Sequence, residues 1–283
     1  MFVFIAHIKT RFQLIYYTIY SFIFKAICSI LSHVKGVKIM AVLYTVLTII
    51  GALIIGYLFG SFPSAIFIGK VFYGVDVRTQ GSHNAGGTNV GRVIGKKAGI
   101  ITIALDVFKT LIAIWLVFFI LKLTPLVNYL VDGLPIEAIY YSTGIACAIG
   151  HSFPCFAGFK GGKAMAVFSG FVLATNWLFA LLGVTFFFII FYWKKYVSLA
   201  SISGTLFVFL LSIAPAFVPE MRFGYWWFGP GLGMAETYIY MLSLLVLASY
   251  VWIRHIPNIK RLIKHEEPHT KFKKTPKIEH NAK

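Results

Sequence analysis

The sequence predicts an all-α polytopic membrane protein. Of its 283 residues, 59% are hydrophobic and 12% charged, with a mean hydropathy of +0.82. A soluble domain averages about 45–50% apolar and about 25% charged. Apolar runs of the length a bilayer crossing needs, about 20 residues, recur along the chain and are separated by short polar loops. Charge sets the orientation. There are 26 Lys+Arg against 9 Asp+Glu, a net of +17, and the cations gather in alternate loops, as the positive-inside rule requires of cytoplasmic ones. No basic block suited to nucleic acid exists, because the excess is divided among inter-helix loops and a tail. Cys28, Cys147 and Cys155 follow neither metal-ligand nor disulfide spacing.

In chain order, residues 1–39 come first, with Lys9, Arg11, Lys25, Lys35 and Lys38, no acid, and an apolar stretch from Phe12 to Leu31. Three readings fit: a basic amphipathic segment on the membrane surface, an extra span, or translation beginning at Met40. Clear spans then fall at 41–66, 98–121, 137–155, 197–217 and 236–253. The run from Ala164 to Trp193 is too long for one plain crossing and is broken at Asn176. If it goes out and returns, every basic loop shares one face. The prediction is therefore seven transmembrane helices over 40–255, N-terminus outside and C-terminus cytoplasmic, followed by a basic tail at 256–283. The two helices of the broken run are short and are expected to lie against protein. Re-entrant-like polar loops are expected on the cytoplasmic face.

The unusual polar strings all fall on that face. "DVRTQGSHNAGGTNVGRVIGKKAG" (Asp76–Gly99) reads as an anion cradle. Gly81, Gly86 and Gly91 free successive backbone N–H groups to converge. Asn84, Thr88 and Asn89 add neutral donors, and Arg78 and Arg92 add charge and fork geometry. It is no P-loop, since neither "GRVIGKK" nor "GFKGGKA" has the Gly, four residues, Gly-Lys-Ser/Thr spacing. "LDVFK" buries Asp106 and Lys109 within a span, three apart on one helical face, where they can pair. His255 and Asn258 share a face where the last span ends.

Together, "GSFPSA", the glycine loop, "LDVFK", "GHSFPCFAGFKGGKA", "KKYVSLASI" and "RHIPNIKRL" resemble, in the same order, the bacterial acyl-phosphate:glycerol-3-phosphate acyltransferase family (PlsY). The resemblance runs from about Tyr57 to Glu267. It implies a seven-helix, N-out enzyme of the bacterial inner membrane. That enzyme would move a fatty acyl group from acyl phosphate to the 1-hydroxyl of glycerol 3-phosphate, giving lysophosphatidic acid and phosphate. It would need no cofactor and no metal. Its partners would be its two substrates, membrane lipids and, transiently, the soluble enzyme that makes acyl phosphate. The resemblance implies that Ser61 and Arg78 are essential, and that Gly81, Gly86 and Gly91 hold the phosphate of glycerol 3-phosphate. His255 and Asn258 would support activity, Glu267 integrity, and Lys109, Ser198 and Ser201 would line the active site. This chain departs from the pattern at several positions. Thr110, Ala164 and His265 stand where the family has Gly, Gly87 where it commonly has Ala, and His83 is unusual in the glycine loop. His265 leaves Glu266 as an alternative to Glu267.

The residues alone allow such chemistry. The His-to-Asp dyad of other glycerolipid acyltransferases is absent, since Thr88, Phe156 and Lys260 lie five positions after His83, His151 and His255. Acyl phosphate is already an activated mixed anhydride and asks less of its enzyme. Positioning by cations and a glycine loop, with a substrate phosphate oxygen or His255 taking the proton, is the expected mechanism. Covalent acylation of Ser61 is its rival. An organic-phosphate transporter would share the basic face, but transporters commonly show internal repeats and midplane sites, and no repeat is evident here.

Overall fold

The computed structural model describes residues 37–222, 233–270 and 272. The chain divides into two units, Met1–Leu43 and Tyr44–Lys283. Of the first, only the opening turns of one helix fall within the described residues. The N-terminal segment predicted over 1–39 lies outside them except for residues 37–39, as does most of the tail beyond Thr270.

The helices are α1 (Val37–Ser61), α2 (Ser64–Phe67), α3 (Gly87–Val93), α4 (Lys96–Leu123), α5 (Ile136–Ser152), α6 (Met165–Thr175), α7 (Trp177–Lys194), α8 (Val197–Leu211), α9 (Ile213–Phe217), α10 (Met234–Arg254) and α11 (Ile256–Ile263). Five helical stretches are long and apolar enough to cross a membrane: Ile39–Phe72, Lys96–Leu123, Trp177–Lys194, Val197–Pro215 and Met234–Arg254. The predicted third span is α5, of 17 residues.

The 164–193 run is two helices. Asn176, with φ −141°, interrupts the ladder, and its side-chain oxygen accepts from the Phe179 amide at 2.9 Å, capping α7. The expectation that both halves lie against protein holds only for α6, where Val167, Phe168, Phe171 and Val172 are buried. It fails for α7, whose buried residue is Phe179, while Leu181, Ile189, Tyr192 and Trp193 are exposed. The reason is length: α7 is a largely apolar helix of 18 residues, long enough to face hydrocarbon with its backbone bonds made internally, and its packing is chiefly against α8.

The interior is built around α4, α5, α6 and α10. Tyr141, Phe171 and Tyr240, one from each of the last three, are almost fully buried. Their ring centroids lie 5.5–6.1 Å apart, within the range of favourable aromatic pairing. On α1, Gly56 and Gly60 lie directly on the backbone of Thr143 and Cys147. This small-xxx-small spacing lets two membrane helices approach closely, and it sets the end of α1 beside α5.

Local chemistry ends the helices near the site. Pro63 cannot donate an amide, so α1 stops at Ser61 and the chain restarts at α2. Pro257 begins α11 within a residue of the end of α10. At the end of α11 the chain reverses in a Schellman turn. His265 adopts φ +57°, the Glu266 amide donates to the Arg261 carbonyl at 2.8 Å, and the His265 amide to that of Leu262 at 3.2 Å. That reversal carries Glu267 back toward the helices.

Candidate active site

A cavity of about 340 Å³ opens where the glycine loop, the 161–166 segment, the start of α8 and the α10–α11 junction meet. One end is polar, with Ser82, Asn84, Thr88, Arg92, Lys163, Ser198, His255, Asn258 and Glu267. The other runs between α6, α7 and α8 and is apolar, with Phe168, Val172, Phe179, Val184, Phe187 and Val208.

The polar end is organised by one carboxylate. Glu267 Oε1 accepts from Ser198 Oγ at 2.7 Å and Asn258 Nδ2 at 2.8 Å, and Oε2 accepts from Arg261 Nε at 2.6 Å. Asn258 Oδ1 in turn accepts from Lys163 Nζ at 2.6 Å. Burial would raise the Glu267 carboxyl, but these hydrogen bonds outweigh it and hold the group below its usual range. Glu266, the sequence alternative, is exposed. Burial pushes the Lys163 ammonium down to about 8. Arg92 reaches Thr270 Oγ1 at 3.3 Å.

His255 Nδ1 lies 2.8 Å from the Val251 carbonyl. A carbonyl only accepts, so Nδ1 carries the proton and Nε2 keeps its lone pair. Burial pushes this imidazole down to about 4, so it is neutral throughout the physiological range and presents a lone pair at Nε2.

The predicted residues divide into those at the cavity and those beside it. Asn84, Gly86, Thr88, Asn89, Asp106, Ser198, Ser201, His255, Asn258 and Glu267 line it. Asn89 is not the free donor expected, because its whole amide is engaged in shaping the loop. Nδ2 donates to the carbonyls of Val77 at 2.7 Å and Gln80 at 3.1 Å, and Oδ1 accepts from the Ser82 amide at 2.8 Å. Gly81 turns beside it with φ +63°, and a Cβ there would fall on Asn89 Oδ1. Gly91 faces Phe272 and Gly99 rather than the cavity. Both glycines shape the loop through backbone turn and packing. Ser201 Oγ donates to the Val197 carbonyl at 2.8 Å.

Ser61, Arg78 and Lys109 are not in the lining. Ser61 is fully buried, and its hydroxyl has no hydrogen-bond partner. Arg78 grips Asp76 in a fork, Nε to Oδ1 at 3.0 Å and Nη2 to Oδ2 at 2.8 Å, and its Nη1 donates to the Ala157 carbonyl at 2.8 Å. That fork holds the Asp76 carboxyl well below the usual carboxylate range. Arg78 therefore ties the glycine loop to the 155–157 turn. Lys109 lies behind the cavity wall, against Asp106 and His151. Sequence reasoning passed over Ser82, counted Lys163 only among the basic residues of a cytoplasmic loop, and expected His151, at a helix end, to pack; all three line the cavity. Lys163 carried a legible signal, since it follows a Gly-Gly pair at a helix start.

The fold and site define a class: a multi-pass helical membrane protein with a cavity cationic and hydroxyl-rich at one end and apolar at the other. Residues 50–265 match the family model described as glycerol-3-phosphate acyltransferase, and the chain belongs to that family. Among similar proteins, glycerol-3-phosphate acyltransferase 2 of Bacillus cereus is 35% identical over 225 residues, 79% of this chain and 96% of that one. The glycerol-3-phosphate acyltransferase of Staphylococcus saprophyticus is 36% identical, with 78% and 96% covered. Among solved structures, PlsY, described as an integral membrane glycerol 3-phosphate acyltransferase, superimposes in its glycerol 3-phosphate form with a TM-score of 0.62 at 32% identity, covering 78% of this chain and 94% of that one. Its lysophosphatidic acid form gives 0.60 at 31% identity, with the same coverage.

Proposed function

We propose that this protein transfers a fatty acyl group from acyl phosphate to the 1-hydroxyl of sn-glycerol 3-phosphate, forming lysophosphatidic acid and phosphate. The observation that carries the reading is the two-ended cavity. A substrate pair made of phosphates and one hydrocarbon chain needs cations and hydroxyls joined to an apolar slot, and few other ligands need both. Family membership and the PlsY likeness support the acceptor. The donor follows from the chemistry available. A neutral imidazole and two nearby cations suit a substrate that already has a good leaving group.

In this mechanism Arg92, Lys163, Ser82 and Thr88 hold phosphate oxygens, and the acyl chain lies along Phe168, Val184 and Phe187. The acceptor oxygen forms its bond to the acyl carbon as the bond from that carbon to the phosphate oxygen breaks. The hydroxyl proton passes to His255 Nε2 or directly to an oxygen of the departing phosphate. Asn258, fixed between Glu267 and Lys163, orients the reacting groups. Holding two reactants in this way can supply roughly 7–11 kcal/mol of the barrier. Ser61, having no partner and no place in the lining, is a poor covalent nucleophile on this geometry.

The reading also places the chain in a bacterial inner membrane with seven crossings, α5 and α6 being the short ones. The cavity would open to the cytoplasm beside the soluble enzyme that supplies acyl phosphate. Purified protein given labelled glycerol 3-phosphate is expected to make lysophosphatidate from acyl phosphate and not from acyl-CoA. Product from acyl-CoA alone would refute the donor, and product from neither would refute the activity.

A further inference from the structure

Lys109 is the most conspicuous residue of the sequence that the mechanism above leaves without a task. Its ammonium forms an ion pair with Asp106 Oδ1 at 2.7 Å, and two further acceptors lie against it, the Phe62 carbonyl at 2.9 Å and His151 Nδ1 at 3.1 Å. The side chain is 7% exposed, and its charge is paired with Asp106 inside the protein. One of those acceptors has a chemical consequence. An ammonium cannot accept a hydrogen bond, so His151 Nδ1 must carry the lone pair, and the ring proton sits on Nε2. Asp106 Oδ1, 3.4 Å from the same Nδ1, already neutralises Lys109. A second cation on the imidazole would be an uncompensated buried charge.

His151 is thus a neutral ring locked in one tautomer, with an N–H on its far side. It also lines the cavity. Gly162 lies against that far nitrogen without covering it, and a Cβ there would fall on Nε2. The two histidines of the cavity are therefore complementary. His255 is fixed with its lone pair available, and His151 with its proton available.

We propose that His151 Nε2–H is an oxyanion donor for the acyl transfer, and that Lys109 and Asp106 are positioning residues acting through it. As the acceptor oxygen adds, the carbonyl oxygen of the donor gains negative charge. A preorganised neutral N–H stabilises that charge without surrendering its proton, and the water-poor surroundings strengthen the bond. The inference rests on the acyl-transfer reading, so wild-type protein is assayed first. Failure of wild type to make lysophosphatidate from acyl phosphate refutes that reading, whereas the variants below test only His151.

His151→Asn keeps an acceptor near Lys109 but cannot reach the Nε2 position, and His151→Gln reaches it with an amide N–H. His151→Asn is expected to lower kcat by about 100-fold or more, with the KM for glycerol 3-phosphate within about three-fold of wild type. His151→Gln is expected to recover at least ten-fold of that loss. A purely packing role would not give this split between kcat and KM, nor rescue by the longer amide. Equal rates for the two variants, or a wild-type kcat in His151→Asn, would overturn the proposal. Should His151→Asn fail to fold, the double variant Asp106→Leu with Lys109→Met removes the lock while keeping the helix apolar. Its kcat should fall about ten-fold, and an unchanged kcat overturns the positioning role.

Discussion

Replacing His265 with glycine should stabilise the end of the molecule that closes the site. The perturbation is confined to one turn. His265 is exposed, sits at φ +57° in the Schellman turn that ends α11, and is two residues ahead of Glu267. A left-handed conformation costs an L-residue about 1–2 kcal/mol. Glycine removes that cost but loses about 0.5–1 kcal/mol more conformational freedom on folding. No buried atoms are forfeited, so the net gain is about 0.5–1 kcal/mol. Ala164 is the informative contrast. It too is left-handed, at φ +63°, but its methyl is 1% exposed, and losing a buried methyl costs about 0.8 kcal/mol. Ala164→Gly should therefore change little. The assay is hydrogen–deuterium exchange of the segment 262–268 in detergent or nanodiscs. His265→Gly should slow exchange at the Glu266 amide by roughly two- to five-fold, the equilibrium shift that 0.5–1 kcal/mol gives, with turnover unchanged. Faster exchange in His265→Gly, or an equal slowing around residue 164 in Ala164→Gly, would refute the reasoning.

Four further outcomes test the site. Gly204 has room around it, since a Cβ would meet only Phe187 Cβ at 3.8 Å. Gly204→Leu should fill the apolar end and select against long acyl donors, by about four-fold per methylene displaced at about 0.8 kcal/mol each, as measured by competing decanoyl with palmitoyl phosphate. Lys163 is charged below its pKa of about 8 and neutral above it. Its hold on phosphate should be full at pH 7 and lost as pH rises, so kcat/KM for glycerol 3-phosphate should fall through an apparent pKa near 8, and Lys163→Gln should abolish that limb. Arg92→Ala should raise KM by about 10- to 100-fold, the value of a charged hydrogen bond of about 1.5–3 kcal/mol, with little change in thermal midpoint. Arg78→Ala should do the reverse, because Arg78 ties two loops together and does not line the cavity.

The helices were legible because hydrophobic length is a local signal. Each predicted span has a helix in its place, and the break at Asn176 was visible as the one amide side chain in a thirty-residue apolar run. What could not be read was which side of each helix meets lipid. With apolar residues all round α7, no stripe marks the face toward α8, and its exposure emerges only from packing. One end was missed: Pro63 removes a donor wherever it stands, yet the predicted span ran through it to residue 66, whereas α1 stops at Ser61.

The site was legible as a set of strings and not as a geometry. A glycine, asparagine and arginine in one loop look alike in sequence whether they hold an anion or hold the loop. Asn89 turns out to tie Val77, Gln80 and Ser82 together beside Gly81, and Arg78 holds Asp76 and Ala157, because a loop rich in glycine needs internal ties before it can present anything. Charge within a span is similarly ambiguous. Lys109 drew attention as a cation in an apolar helix, yet the low dielectric that makes it conspicuous also makes it seek every available acceptor. Its ammonium is paired with Asp106 and held by the Phe62 carbonyl and His151, so on the proposal above its influence on the acyl carbonyl passes through the imidazole it orients. Among the described residues, the cations that line the cavity are Arg92, on α3, and Lys163, in the segment before α6, both half-buried. In a membrane site the more deeply buried charge is the better positioner, and the less deeply buried one is the better ligand.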